Sequence, residues 1–309
     1  MNPAPSVILF TTLSGAGYGM VVVAGLMWTW LAEIPQRFAI STMVLAMALI
    51  VTGLMSSALH LGRPERAWRA LSQWRTSWLS REGILAIAGF VPIAGFAVAS
   101  TFPGLGIGAA SAWGLAGAAA SLATLFTTAM IYRSLKPIAQ WHHPWVVPGY
   151  LVLGPMTGAL MIQALAQIHG GGSTPLSVMT LALMAAGGAV KLRYWNAIDT
   201  LKPRTVASAI GQTSGTARSV EWPHTEENYL LKEMGFTVAR RNATRLRKLA
   251  ALFGWIAPFI MTIAGLAIGG PTASVLYACG AVFGMVGVMA ERWLFFAEAR
   301  HTVTLYYGR

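Results

Sequence analysis

Eight long apolar runs constrain this chain more than any other feature of its sequence. They cover Ser6–Leu31, Phe38–Leu59, Gly83–Phe102, Ala109–Tyr132, Trp145–Ile168, Leu176–Lys191, Leu249–Ile268 and Ala273–Phe296. A helix that crosses a bilayer needs about 20 mainly apolar residues, and only the sixth run falls clearly short. Hydrocarbon offers the backbone no hydrogen bonds, which leaves helices and closed barrels as the possible spans. Barrel strands are short and alternate in polarity, whereas these runs are long and continuously apolar. The expected fold is therefore all-α: one polytopic membrane domain over residues 1–309, with about eight transmembrane helices.

Composition points the same way. Of the 309 residues 55% are hydrophobic and only 10% charged, against about 25% charged in soluble domains. So few charges cannot cover a water-facing surface. The net charge of +12 would suggest nucleic acid in a soluble protein. Here the basic residues lie between apolar runs and form no separate module, so no nucleic-acid partner is expected. Cys279 is the single cysteine, which rules out an internal disulfide. It also leaves no CxxC pattern for zinc, an iron–sulfur cluster or c-type haem, and such centres are expected only in partner subunits. The start, MNPAPSVILF, lacks a basic n-region and reads as a mature span rather than a removable leader.

The charges also predict an orientation. Arg63, Arg66, Arg69, Arg75 and Arg81 follow the second run, and Arg133 and Lys136 follow the fourth. A long basic stretch from Arg193 to Lys248 follows the sixth, and Arg300 and Arg309 lie in the tail. The alternate connections, Phe102–Gly108, Gly170–Pro175 and Gly269–Thr272, carry no charge, and the first carries only Glu33 and Arg37. Basic loops stay in the cytoplasm, which puts both termini there, in a bacterial inner membrane. Two cytoplasmic segments exceed a simple turn. In residues 60–82, Trp68, Leu71, Trp74 and Trp78 recur at mostly three- or four-residue spacing among arginines, as in a helix lying on the membrane surface. Residues 193–248 form a loop large enough to dock a soluble partner, with Thr225, Glu226 and Glu227 as a helix start. Plain connectors would also satisfy both patterns.

Several stretches bear a resemblance that goes beyond composition. SSALHLGRPERAWRALSQWRTSWLSREG from Ser56, PHTEENYLLKEMGFTVARRNA from Pro223, ERWLFFAEARHTVTLYYG from Glu291 and FTTLSGAGYGM from Phe10 resemble the membrane-anchor subunits of the dimethyl sulfoxide reductase family. The likeness runs end to end and is strongest toward the sulfite dehydrogenase branch, whose catalytic subunits face the cytoplasm. The resemblance implies eight spans, a molybdopterin catalytic subunit and an iron–sulfur subunit as partners, and exchange of electrons with ubiquinone or menaquinone. It also implies a quinone site at the histidine of HLG and the glutamate of S-x-E, matched here by His60 and Glu82.

The residues themselves are compatible with that site. Quinone chemistry moves protons with electrons, and an imidazole exchanges a proton near neutrality. His60 ends the second run and Glu82 opens the third, so both belong to one membrane face. Arg63 and Arg81 flank them and are candidates for orienting the head group. Simpler roles remain open: Glu82 at a helix N-terminus, His60 on a loop carbonyl, and the arginines as cytoplasmic anchors. Haem b is disfavoured, because His142, His143, His224 and His301 fall in loops or tails and His169 lies at the other face. A transporter is the rival class. Intramembrane charges mark transport pathways, and here Glu291 and Arg292 are the main ones, placed to pair with each other. A reporter fused after Arg309, or inserted near Ser214, should read as cytoplasmic; a periplasmic signal from both would overturn the orientation.

Overall fold

The computed structural model describes residues 3–30, 34–58, 61–170, 172–202, 204–212, 214–221 and 242–306. Among them are eight helices long and apolar enough to cross a membrane. They are α1 (Pro5–Met27), α2 (Gln36–Ala58), α3 (Trp78–Thr101), α4 (Gly106–Arg133), α5 (Val146–Ile168), α6 (Thr174–Asp199), α7 (Ala243–Ile268) and α8 (Gly270–Ala297). A π-turn at Leu252–Ile256 interrupts α7. No strand occurs among the described residues; one isolated β-bridge pairs Ile138 of the α4–α5 connection with His301 of the tail.

Packing divides the helices into two sequential groups, α1–α4 and α5–α8, joined mainly where α1 and α4 meet α5 and where α1 meets α8. The first helix is the hub, the most buried of the eight, and it carries the small-residue run SGAGYG. Without a hydrophobic drive between helices in lipid, close van der Waals approach holds them together, and small residues permit it. A Cβ on Gly19 would lie 1.9 Å from the Gly154 carbonyl oxygen of α5, and one on Gly25 would lie 2.2 Å from that of Gly114 in α4. The other faces of α2, α3, α6 and α7 present Val, Ile and Leu outward, as a lipid-facing surface requires.

Alternating passage gathers one set of ends on a single face: the start of α1, the α2–α3, α4–α5 and α6–α7 connections, and the tail. Contacts at that face tie the segments together. Thr302 N–H donates to Pro137 O at 3.1 Å, Arg300 N–H to Gln140 Oε1 at 3.2 Å, and Arg204 Nη2 to Lys136 O at 3.3 Å. The opposite face is closed by smaller links, among them Ser41 to His169 at 3.0 Å.

The largest extensions beyond the apolar runs occur at three helix ends. The third helix starts at Trp78 rather than Gly83, because the Ser77 side chain caps it by accepting from Ser80 N–H. The Ser80 hydroxyl in turn donates to the Ala70 carbonyl. Residues 78–82 therefore belong to the span, and only Pro64–Gln73 forms a separate, exposed 3₁₀ segment. The sixth helix is not short; it runs to Asp199, since Lys191 is paired inside and Arg193 lies over the Trp145 ring. Residues 243–248 likewise open α7, so the long connection is flanked by helix at both ends. Gly19→Ala should lower the melting temperature of the purified protein in detergent, because overpacking a tight contact costs about 1–3 kcal/mol. Gly149→Ala, where a new Cβ meets nothing within 4 Å, should leave it unchanged.

Candidate functional site

The candidate site takes shape where α3 meets α4. Glu82 lies one turn into α3 and is 6% exposed. An acid is tolerated at such depth only with a partner, and α4 supplies one: the Thr128 hydroxyl donates to Glu82 Oε1. Thr128 is itself buried, and it can also turn back to the Thr124 carbonyl at 3.0 Å. The carboxyl therefore lies at the contact between α3 and α4.

The other expected members stand differently. His60 lies outside the described residues. Arg63 is exposed and precedes the 3₁₀ segment. Arg81 spends its donors on the turn before α3, through Nε to Trp74 O at 2.9 Å and Nη2 to Arg75 O at 2.6 Å. Its guanidinium also sits 4.2 Å from the centre of the Trp78 ring. Neither arginine hydrogen-bonds to Glu82 among the described residues. Arg81 thus braces the turn that leads into α3. Trp68 and Trp74 stay exposed at the same edge, suited to the interface between headgroups and hydrocarbon.

A second polar centre lies in α5–α8. Glu291 forms ion pairs with Arg292, whose Nε lies 2.8 Å away, and with Lys191 Nζ, and all three side chains are buried. Aromatic faces complete the shell: Lys191 lies 4.0 Å from the Tyr194 ring centre and Arg292 lies 4.1 Å from that of Tyr150. Such cation–π contacts gain strength when desolvated. Toward the face, Arg247 of α7 clamps two acids. It reaches Asp199 of α6 at 2.7 and 3.0 Å and Glu298, just past α8, at 2.9 Å through two nitrogens. The clamp fixes both flanks of the α6–α7 connection to the end of α8. The pairing of Glu291 with Arg292 was legible in the sequence, but Lys191 and Thr128 were not recognised as partners. The usable signal for Lys191 was a charge that ends an apolar run yet falls short of a full span.

Tyr132 and Tyr150 link the two centres. Their rings stack at 5.8 Å, and Tyr132 also packs edge-on against Trp141, Phe295 and Phe296. The described histidines are peripheral. His142 Nδ1 lies 2.6 Å from Arg133 O. Burial, aided by the charge of Arg133, holds the His143 imidazole below its ordinary range, and burial does the same at His301.

Comparison with known proteins gives this architecture a family. Residues 1–308 match the DMSO reductase anchor subunit (DmsC) family. The chain is 33% identical to a sulfite dehydrogenase subunit of Allochromatium vinosum, over 99% of each protein. This chain belongs to the DMSO reductase anchor family. It also shares 26% identity with the anaerobic dimethyl sulfoxide reductase chain YnfH of Escherichia coli, over 60% of this chain and 66% of that one. No solved structure gives a significant match. Membership makes the protein a membrane anchor subunit of a redox complex and removes the transporter reading.

The ion triad of this anchor supports a stability test. Glu291→Gln would leave Lys191 and Arg292 without their shared acid, and losing one partner of a buried pair costs about 3–5 kcal/mol. The amount of folded protein in membranes should fall sharply. Adding Lys191→Met should restore part of it, whereas a double variant as poor as the single one would mean that the pair is not the unit.

Proposed function

We propose that this chain is the quinone-reactive anchor of a heterotrimeric molybdopterin oxidoreductase, passing electrons between an iron–sulfur subunit and the quinone pool during sulfite oxidation. One observation carries the reading: a buried carboxyl, Glu82, is held by Thr128 at the face where the extramembrane segments gather. The choice of sulfite rests on the full-length relative, which belongs to a sulfite dehydrogenase. It also rests on the positive-inside rule, which makes the basic face cytoplasmic in this reading. The partial relative, a dimethyl sulfoxide reductase chain, supports a second reading, an anchor that oxidises menaquinol for a reductase.

The surroundings of Glu82 suit a quinone head group. A carboxylate accepts at both oxygens, and the hydrogen bond from the Thr128 side chain uses only Oε1. A bound quinone would supply a two-electron, two-proton couple. Glu82 accepts or returns a proton at its carboxyl oxygen, while Thr128 holds that carboxyl toward the α3–α4 junction. His60, at the end of the preceding span, is the second hydrogen-bonding group in this reading, with Arg63 and Arg81 bordering the entrance. The Pro64–Gln73 segment and the α6–α7 connection provide the docking surface for the iron–sulfur subunit, which keeps its clusters near the carboxyl. Molybdopterin and clusters belong to the partner subunits, and this chain holds neither.

His60→Ala and Glu82→Gln should each abolish quinone-linked turnover in a complex that still assembles. Losing a hydrogen bond to a charged group costs about 1.5–3 kcal/mol, so affinity for quinone should fall on the order of tenfold to a hundredfold. Turnover with a soluble artificial electron acceptor should persist. Wild-type quinone kinetics in both assembled variants would place the site elsewhere.

A further inference from the structure

A polar hollow sits on the seam between the two helix groups. Thr11 and Thr12 of α1, Tyr150 and Thr157 of α5 and Arg292 of α8 line a cavity with room for about one water molecule. Leu125, Leu153, Val288, Ala16 and two glycines, Gly15 and Gly154, line the rest. Two of the threonines are already satisfied: Thr11 donates to Val7 O at 2.9 Å and Thr157 to Leu153 O at 3.0 Å. Three other atoms on the same cavity lack a well-formed hydrogen bond among the described residues, namely Thr12 Oγ1, the Tyr150 hydroxyl and Arg292 Nη1, with the Arg292 guanidinium packed against the Tyr150 ring. Their residues are 2%, 4% and 3% exposed.

Buried polar groups without hydrogen bonds are costly, and more so where lipid surrounds the protein. Protein interiors commonly resolve such a group with an internal water that makes about three hydrogen bonds. We propose that Thr12, Tyr150 and Arg292 form a binding site for one internal water that pins α1, α5 and α8 together. The chemistry of the three groups fits a water. Arg292 Nη1 donates to the water oxygen, and the two water hydrogens reach the oxygens of Thr12 and Tyr150. A small anion would need an excess of positive charge. Lys191, Arg292 and Glu291 sum to +1, and Arg247, Asp199 and Glu298 sum to −1, so the two clusters balance. The site stands independently of any role for Glu82 in quinone binding.

The test is X-ray hydroxyl-radical footprinting of the whole complex in lipid nanodiscs, in which a bound internal water labels the buried side chains it touches. Tyr150 should be modified several-fold more than Phe96 and Trp28, which are equally buried but packed in an apolar cluster. Thr12→Val, close to isosteric, should bring Tyr150 labelling down to the Phe96 level. If that variant does not assemble, Tyr150→Phe read at Leu153 serves the same purpose. Tyr150 labelled no more than Phe96 in the wild type overturns the site, as does labelling that Thr12→Val leaves unchanged. Labelling that depends on chloride in the buffer overturns it in favour of an anion.

Discussion

A charge survives in hydrocarbon only where another group meets it, and the polar interior of this anchor follows from that constraint. Glu82 meets Thr128, while Glu291 meets Lys191 and Arg292. Arg247 meets Asp199 and Glu298. Each set is completed by residues from different helices, so the pairing also fixes which helices neighbour one another. Burial of an ion pair is weak evidence for net stability; its firmer consequence is specificity, because a shifted helix would strand a charge. By the alternation of the spans, all these groups lie toward the face that carries the connections and the tail. The far half of the bundle is held instead by close backbone approach along α1 and by small polar links such as Ser41 to His169.

The number and type of helices were open to reading because apolar length is a local property. Every one of the eight runs overlaps a helix long and apolar enough to span. The ends were less accessible because hydropathy counts each charge as water-seeking. Lys191 reads as the end of a span, yet Glu291, which neutralises it, lies a hundred residues later and keeps α6 going to Asp199. The same blindness placed Glu82 at the opening of α3, when the Ser77 cap starts the helix at Trp78 and draws the acid inside. Within the candidate site Glu82 stood out as an acid beside an apolar run. Thr128 did not, since a threonine in such a run reads as helix packing. Arg81 was a candidate for the head group, while its hydrogen bonds go to the turn that leads into α3.

Two polar centres joined by a stacked tyrosine pair give the anchor a division of labour. The α1–α4 group carries the carboxyl proposed to meet quinone. The α5–α8 group carries the clamp that holds the flanks of the α6–α7 connection, the segment proposed to dock a soluble partner. The α1–α5 contact keeps the two in register through glycines that leave no space for a side chain. The helix that carries Glu82 and the clamped ends of α6, α7 and α8 are thereby held in a fixed relation.

The proposed role of this anchor depends most on Glu82 lying where a quinone head group binds. A photoreactive quinone analogue, cross-linked to the intact complex in membranes and mapped by mass spectrometry, addresses that directly. Labelling should concentrate on the start of α3 around Glu82 and the last turns of α4 around Thr128, and excess native quinone should compete it away. Competable labelling confined to the opposite face, near Ser41 and His169, would contradict that role.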